Sequence, residues 1–327
     1  MAGLLDPLEV KGLTLRNRIV MPPMQTGRAT VDGAVTDRLI GFYARRSAAL
    51  GLLIVEHCYV SPRGRLSFKQ LGIHEDELIS GLQILASRIH AIETPVVVQI
   101  SHAGGVANRH VIGTEPAGPS ATSTARELTR SEIASLAEEF AVAAERAVRA
   151  GFDGVELHGA HGFLLNQFFS PLLNKRGDEY GGSLENRMRF PLMVVRRVRE
   201  NVGSKLLVYR LGADDLDPNG TRIEHSVAFA AKLEQCGVDV VDVSGGLCGS
   251  EPKQLRRVKG YFVPQASEIK KTVGAPVIGV GGINEAEYAD RLVRDGKVDL
   301  VAVGRALWKD SKWAEKAVEV LKVKRGC

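Results

Sequence analysis

The chain has 327 residues, 44% of them hydrophobic and 25% charged, a length that suits two small domains or one barrel. The net charge of +5 comes from scattered lysines and arginines and is weak evidence for nucleic-acid binding. Four cysteines without Cys-x-x-Cys spacing argue against an iron–sulfur cluster, a zinc site or a disulfide scaffold. With no leader and no apolar run of about 20 residues, we expect a soluble, cytoplasmic protein without a membrane partner.

Eight short apolar segments along the chain are predicted as β-strands, and helical patterns separate most of them. They are Arg18–Pro22, Leu52–His57, Val96–Ser101, Gly154–His158, Leu206–Leu211, Val240–Ser244, Val277–Val280 and Leu300–Val303. Strict alternation of strand and helix indicates a parallel sheet of the α/β class. Eight such units in about 300 residues match a closed (β/α)8 TIM barrel, so we predict that residues 1–327 form one barrel domain. The segment from Leu8 to Arg18, with Gly12 at its turn, is predicted as a hairpin that closes the barrel floor.

The helix with the clearest pattern is predicted from Ser131 to Ala150, opened by a capping box of Thr129 and Glu132. Two further capping boxes are predicted to open later helices, namely Thr221 with Glu224 and Asn284 with Glu287. Pro191 should break its helix into a short piece and a main one, because proline lacks an N–H donor. The segment from Gly104 to Ala125, rich in Gly, Pro, Ser and Thr, is the best candidate for a loop over the barrel mouth.

Two histidines, His158 and His161, follow the fourth strand directly, at the end of a parallel strand where chemistry sits in such proteins. The alternative is a pair of core histidines that hydrogen-bond to backbone. Other polar residues follow the remaining strands, so the strand ends predict one coherent site. These residues are Pro22, Pro23, Met24 and Gln25 after strand one, Gln99 and His102 at strand three, and Arg210 at strand five.

Glycines follow strands seven and eight, at Gly281, Gly282 and Gly304, with Arg305 beside them. Bare backbone N–H groups and an arginine are the usual phosphate cradle of such barrels, although a Gly-Gly pair is as often only a tight turn. Arg210 on an apolar strand needs an anionic partner. That partner is either Asp214, Asp215 or Asp242, or a redox ring that becomes anionic on reduction. A phosphate site beside such a ring predicts FMN as the ligand.

These residues carry a resemblance to the old yellow enzyme family of FMN-dependent ene-reductases, from NRIVMPPM at Asn17–Met24 to VAVGRALWKD at Val301–Asp310. The segment HGAHGFLLNQFFSPLLNKRGDEYGGSLENR, at His158–Arg187, is highly specific to that family. The resemblance implies non-covalent FMN, reduction by NADH or NADPH, and hydride transfer from flavin N5 to an activated alkene. It implies that His158 and His161 bind the substrate carbonyl, and that the other site residues bind FMN. Those are Pro22, Pro23, Met24, Gln25, His57, Gln99 and Arg210 along the ring, and Gly281, Gly282, Gly304 and Arg305 at the phosphate.

The chain departs from the family pattern around the substrate site. Phe163 stands where relatives carry a tyrosine that gives a proton to the α-carbon. Either water or another group such as Tyr59 supplies this proton, or net alkene reduction is slow. Gly27 replaces a substrate-facing tyrosine of some relatives, and His102 and Phe163 are also predicted to border the substrate. His57 occupies a spot usually held by a small residue, with its side chain either turned away or against the flavin.

The larger relatives continue into cluster-binding and nucleotide-binding domains, whereas this chain is expected to be a stand-alone barrel that takes electrons directly from a nicotinamide. The resemblance also implies a homo-oligomer, dimer or tetramer, in which the terminal Lys324, Arg325 and Gly326 reach a neighbouring subunit; a frayed basic tail is the alternative. The alternative activities are a flavin reductase, dehydrogenase or isomerase of the same family and, more remotely, a tRNA-modifying flavoenzyme. The metal-hydrolase alternative lacks a plausible carboxylate ligand set.

Overall fold

The strands, in a computed structural model that describes residues 2–325, confirm the predicted barrel. In chain order they are β1 (Leu8–Val10), β2 (Leu13–Leu15), β3 (Ile19–Met21), β4 (Leu52–Tyr59), β5 (Val96–Ser101), β6 (Ala117–Gly118), β7 (Arg126–Glu127), β8 (Gly154–Gly159), β9 (Leu206–Gly212), β10 (Val240–Ser244), β11 (Val277–Gly279) and β12 (Leu300–Ala302). Eight of them close a parallel barrel in the order β3, β4, β5, β8, β9, β10, β11 and β12. Each contains or overlaps one of the predicted segments, and β8 and β9 pair from Gly154 with Leu206 to Gly159 with Leu211.

Helices connect the strands and cover the outside of the barrel, as expected for parallel strands that need crossover connections. They are α1 (Asp37–Ser47), α2 (Ile79–His90), α3 (Arg109–Ile112), α4 (Arg130–Arg149), α5 (Leu164–Phe169), α6 (Leu184–Val202), α7 (Ile223–Gln235), α8 (Val263–Lys270), α9 (Ala286–Arg294), α10 (Arg305–Lys309) and α11 (Trp313–Arg325). Among residues 2–325, no helix has the length and apolar character needed to cross a bilayer.

The N-terminal hairpin of β1 and β2 closes the barrel floor, as predicted. Lys11 and Gly12 form its turn with φ angles of 53° and 74°, the left-handed geometry of a two-residue hairpin. Val10 and Leu15 pack in one apolar cluster with interior residues of the barrel strands, including Val97. This layer seals the end of the barrel opposite the strand carboxyl ends.

The helix α4 confirms its predicted capping box. The Thr129 hydroxyl accepts a hydrogen bond from the Glu132 amide at 3.2 Å, and the Glu132 carboxylate accepts one from the Thr129 amide at 2.9 Å. Arg126 binds the same carboxylate and lowers the pKa of Glu132 to about 2. The start of α4 is therefore held by charge as well as by the cap.

The other two predicted capping boxes were wrong, because their first residues are used elsewhere. Thr221 is fully buried and its amide donates to Asp215 at 2.7 Å, so α7 begins after Arg222 instead. α9 begins after Glu285 without a side-chain cap. Asn284 instead lines the cavity described below, and its carbonyl accepts a hydrogen bond from the Trp313 indole at 3.0 Å.

Pro191 lies inside a continuous helix α6 and does not divide it, contrary to the prediction. Phe190, Pro191 and Leu192 are all buried, and α6 packs along α4. Burial of residues on both sides of the proline offsets the lost backbone hydrogen bond, whose cost is about 3 kcal/mol.

The segment predicted as a mouth loop is anchored to the side of the site. It forms a 3-10 turn at Gly104–Val106, the helix α3 and the strand β6, which pairs with β7. The Gln167 side chain accepts a hydrogen bond from the Gly105 amide at 3.0 Å and donates one to the Ala103 carbonyl at 2.8 Å. None of residues 104–125 lines the main cavity.

Candidate functional site

A cavity of about 900 Å³ lies at the carboxyl ends of the barrel strands, which is a volume typical of ligand sites. It brings together most of the residues predicted from the sequence. Its lining includes Pro22, Pro23, Met24, Gln25, His57, Gln99, His158, His161, Phe163, Arg210, Gly281, Gly282, Gly304 and Arg305. The residues predicted at the strand ends therefore line one cavity, because parallel strands all end at the same mouth of the barrel.

Two predicted substrate residues do not line this cavity. His102 borders a second cavity with Arg63 and Arg126, and its Nδ1 accepts a hydrogen bond from the Gly104 amide at 3.0 Å. The ring is turned away because Gly64 packs directly on it, too close for a Cβ. Gly27 adopts a φ of 64°, and a Cβ added to it would meet nothing within 4 Å, so it opens space beside the site without touching the lining.

His158 and His161 lie side by side at the end of β8, with ring centroids 5.1 Å apart. His161 adopts a φ of 56°, a strained conformation for a non-glycine residue that is common at functional sites. Its amide donates to the Gly245 carbonyl at 3.2 Å, and its Nε2 hydrogen-bonds with the Ser244 hydroxyl at 2.8 Å. Burial holds the pKa of both imidazoles well below the usual value, so both are neutral and each carries one N–H donor.

The phenyl ring of Phe163 lies in the cavity wall next to these histidines. Its ring centroid lies 4.2 Å from that of His158 and 5.1 Å from that of His57. The wall therefore consists of three imidazoles and one phenyl ring, and it has no hydroxyl at the position where relatives carry tyrosine.

The ring of His57 faces this wall instead of turning away from it. The Gln70 Nε2 lies 2.9 Å from its Nδ1, and the Ser101 hydroxyl lies 3.4 Å from the same atom. Burial, together with the charge of Arg210, lowers the pKa of His57 to about 4. A third neutral imidazole thus borders the cavity.

Tyr59, the alternative proton donor, does not reach the site. Its hydroxyl donates to the Asp32 carbonyl at 2.9 Å, and its ring stacks on His74 with centroids 4.7 Å apart. Burial raises the pKa of Tyr59 to about 12. A tyrosine in these surroundings cannot supply a proton to a ligand in the cavity.

Arg210 lies between Asp242, one of the partners that the sequence left open, and the cavity. Its Nε lies 3.3 Å from Oδ2 of Asp242, and the guanidinium also borders the cavity. The Gln99 side chain donates to Glu156 at 2.6 Å in the layer below. Burial, followed by the neighbouring charge of Asp242, raises the pKa of Glu156, and burial raises that of Asp242. The two carboxyl groups therefore favour a shared proton, which leaves one negative charge beside Arg210 instead of two.

The segment after β3 is held in place from behind by β4. The buried Glu56 carboxylate accepts hydrogen bonds from the Thr26 amide at 2.9 Å and the Thr26 hydroxyl at 2.6 Å. The Gln25 amide donates to the Ser67 hydroxyl at 2.6 Å. These contacts fix Pro23 and Met24 along the wall of the cavity.

The far end of the cavity has bare backbone and basic side chains. A Cβ on Gly281 would lie 2.6 Å from the Tyr261 ring, too close without a shift of that ring, and one on Gly304 would make a tight contact of 3.3 Å with the Met24 sulfur. Arg305 forms an ion pair with Glu251. Arg256 and Lys309 border the same end. Two of these basic groups, Arg256 and Arg305, contact the single carboxylate of Glu251, and such an excess of positive charge favours a bound phosphate.

Sequence reasoning missed Gln70, Glu251 and Tyr261, which lie outside the strand ends. Gln70 is in a loop before α2 that carries no motif. Glu251 and Tyr261 follow β10 in the long connection to α8, and this length was the one available signal, since long loops in barrels often border the site.

The cavity has the parts that FMN requires: an apolar wall for the ring, an arginine and an amide beside the barrel axis, and a phosphate cradle at one end. Residues 3–323 match the NADH:flavin oxidoreductase / NADH oxidase family. The chain belongs to this family. Membership makes it an FMN-dependent oxidoreductase of the old yellow enzyme type with a nicotinamide donor.

Individual members of the family agree with this assignment. The chain is 43% identical over 323 residues to an NADH oxidase of Thermoanaerobacter brockii, covering 95% of this chain and 50% of that protein. It is 38% identical over 326 residues to an NADPH dehydrogenase of Geobacillus sp. (strain WCH70), and the match covers 97% of this chain and 94% of that protein. The solved old yellow enzyme homologue from Zymomonas mobilis superimposes with a TM-score of 0.85 at 26% identity, and the superposition covers 97% of this chain and 93% of that one. The chain thus spans half of one relative and nearly all of another, and a stand-alone barrel stays a prediction.

The oligomer prediction lies partly outside the described residues. Lys324 donates to Glu287 of the same chain at 3.0 Å. The Arg325 side chain and Gly326 are not among the described parts of the chain, so the proposed contact with a neighbouring subunit stays a prediction.

Proposed function

We propose that this protein reduces an alkene activated by a carbonyl group, with NADH or NADPH as the electron source. The observation that carries the proposal is the pair of neutral imidazoles, His158 and His161, on the same cavity as Arg210 and the glycine cradle. When bound and reduced, FMN would supply the hydride that the β-carbon of the alkene accepts.

The two histidines bind the carbonyl oxygen of the substrate through their N–H groups. Negative charge develops on this oxygen as the β-carbon accepts the hydride, and fixed donors in a buried site stabilise that charge. Because both rings are neutral, they do so without donating a full proton to the oxygen. The hydrogen bond between His161 and the Ser244 hydroxyl and the backbone contact of His161 hold that ring in place.

Arg210 and Gln99 bind the polar edge of the flavin ring, and the positive charge favours its anionic reduced form. The phosphate would accept hydrogen bonds from the backbone amides of Gly281, Gly282 and Gly304. Arg305 would leave its ion pair with Glu251 and bind the phosphate instead. Pro23 and Met24 would pack along the ring. Phe163 borders the substrate side, and because neither it nor Tyr59 can donate there, water would supply the proton that the α-carbon takes up. Each of these roles is supported by the position of the residue on one continuous cavity.

A flavin reductase or oxidase activity is the second candidate, favoured by the missing hydroxyl at Phe163 and by the orientation of Tyr59. In that case the reduced protein passes its electrons to an acceptor that needs no carbon protonation, such as dioxygen. The two candidates share every binding residue and differ in the oxidant.

The test is to record the visible spectrum of the purified FMN-loaded protein, reduce it with NADH or NADPH without oxygen, and add cyclohexenone. We expect flavin absorbance to bleach on reduction and to return with the enone. Bleaching without return would contradict alkene reduction and favour the second candidate. No bleaching with either nicotinamide would contradict both.

A further inference from the structure

The third imidazole, that of His57, has a fixed tautomer. Gln70 is fully buried, and its Oε1 accepts a hydrogen bond from the Leu66 amide at 2.7 Å. A backbone amide only donates, so this contact assigns the oxygen and nitrogen of the Gln70 side chain. The Gln70 Nε2 then donates to His57 Nδ1, at 2.9 Å, and lies 3.3 Å from the His57 carbonyl.

The acceptor role of Nδ1 decides where the His57 proton is. A neutral imidazole has one N–H and one lone pair, and the lone pair is already used by Gln70. The proton is therefore on Nε2. This nitrogen has no hydrogen-bond partner among residues 2–325, while the ring borders the cavity. A fixed donor without a protein partner, at the wall of a ligand cavity, can bind an acceptor atom of a ligand in place of water.

The position of the ring suits a contact with the substrate. Its centroid lies 6.0 Å from that of His158 and 5.1 Å from that of Phe163. Phe163 offers no donor, so of these two neighbouring rings His57 is the one that carries an N–H. Donors on His57 and His158 at this separation reach two acceptor atoms of one small ligand.

We propose that His57 is a third substrate-contacting histidine, whose Nε2–H, oriented by Gln70, binds a second oxygen of the substrate while His158 and His161 bind the first. The inference rests on the proposed function, because it assumes that the substrate lies on this wall. It assigns a substrate class: alkenes or aromatic ligands that carry two oxygen acceptors are preferred over those of equal size with one.

Binding of a matched pair of phenols to the oxidised FMN-loaded protein tests the preference. 4-Hydroxybenzaldehyde has a second oxygen, and 4-ethylphenol has a methyl group in its place. The charge-transfer absorbance that phenols give with the flavin reports affinity without turnover. His57→Leu removes the donor, His57→Gln returns an amide N–H close to the position of Nε2, and Tyr59→Phe is the control outside the cavity.

We expect His57→Leu to weaken 4-hydroxybenzaldehyde binding about 3- to 10-fold, the effect of one neutral hydrogen bond, with less than about a twofold change for 4-ethylphenol. His57→Gln should recover most of the loss. Equal changes for both ligands, or none, would overturn the role of His57. If neither ligand gives an absorbance band with the unmodified protein, the proposed function fails instead.

Nitrogen NMR of ring-labelled histidine gives a second readout that needs no ligand. Loss of one signal in His57→Gln assigns the resonance of this residue. At pH 7 we expect the Nε2–H tautomer in the FMN-loaded protein. A Nδ1–H tautomer or a doubly protonated ring would overturn the inference, even if the flavin is reduced and reoxidised as proposed.

Discussion

The phenyl ring of Phe163 lies against the imidazole of His158, with 4.2 Å between the ring centroids. A hydroxyl added to this ring enters the wall on which the proposed substrate lies. We expect Phe163→Tyr to speed reoxidation of the reduced flavin by cyclohexenone at least about 10-fold, because general acids give large rate gains where protonation limits the reaction. Stopped-flow absorbance without oxygen measures this rate, and Phe163→Leu is the control without a hydroxyl. No gain with tyrosine would mean that another donor already serves.

The two strand-end histidines should determine binding of oxygen ligands. We expect the double variant His158→Leu, His161→Leu to lose the phenol charge-transfer band, because both N–H donors to the ligand oxygen are gone. His110→Leu is the matched control, since that side chain is exposed. Absorbance titration of the FMN-loaded proteins measures the effect. A band that survives in the double variant would mean that the oxygen binds elsewhere.

The charge of Arg210 should raise the reduction potential of the flavin. Arg210→Ala is expected to lower it by about 30 mV or more, since 30 mV corresponds to about 1.4 kcal/mol for a two-electron couple. Arg210→Lys keeps the charge and should shift the potential less. Dye equilibration during anaerobic reduction measures both. An unchanged potential in Arg210→Ala would contradict the assignment of this residue to the flavin.

Glu251 competes with a phosphate for Arg305, because the two side chains form an ion pair. Arg305→Ala should weaken FMN binding roughly 10- to 100-fold, the range for hydrogen bonds to charged groups. Glu251→Gln should leave the affinity for FMN unchanged or increase it, since the variant frees the Arg305 guanidinium from its ion pair. Quenching of flavin fluorescence on binding measures both affinities. Weaker binding in Glu251→Gln would show that the carboxylate supports the site instead.

The buried imidazoles of His57 and His102 should make the free energy of unfolding depend on pH. Burial lowers the pKa of His102 to about 4 and, together with the charge of Arg210, that of His57 to about 4, from 6.5. Above pH 6.5 both are neutral in the folded and the unfolded chain and add no pH dependence. Between pH 6.5 and 4 the unfolded chain binds protons that the folded chain does not. The free energy of unfolding therefore falls across this window, by up to about 3 kcal/mol for each.

Urea unfolding of the FMN-loaded protein between pH 7 and 4 measures this loss. His102→Asn keeps an acceptor for the Gly104 amide and removes one titrating ring, so it should flatten the decline between pH 6.5 and 4. An identical decline in the variant would mean that His102 is not buried as a neutral ring in solution.

The sequence by itself determined the barrel, its hairpin floor and the position of one site at the strand ends. Strand and helix periodicities are local, and parallel strands must all end at one mouth, so the locations of His158, Arg210 and Gly281 followed without coordinates. It also determined the family, because the segment from His158 to Arg187 has the residue types and the spacing of the family pattern.

Only the tertiary structure decided which way side chains point and what they bind. His57 faces the cavity because Gln70, 13 residues later, donates a hydrogen bond to its Nδ1, and Tyr59 faces away because its hydroxyl donates to the Asp32 carbonyl. Thr221 does not cap its helix because α7 begins one residue later, after Arg222, while the Thr221 amide donates to Asp215. Such partners come from separate loops and strands, and their distances depend on packing, which no local pattern in the sequence reports.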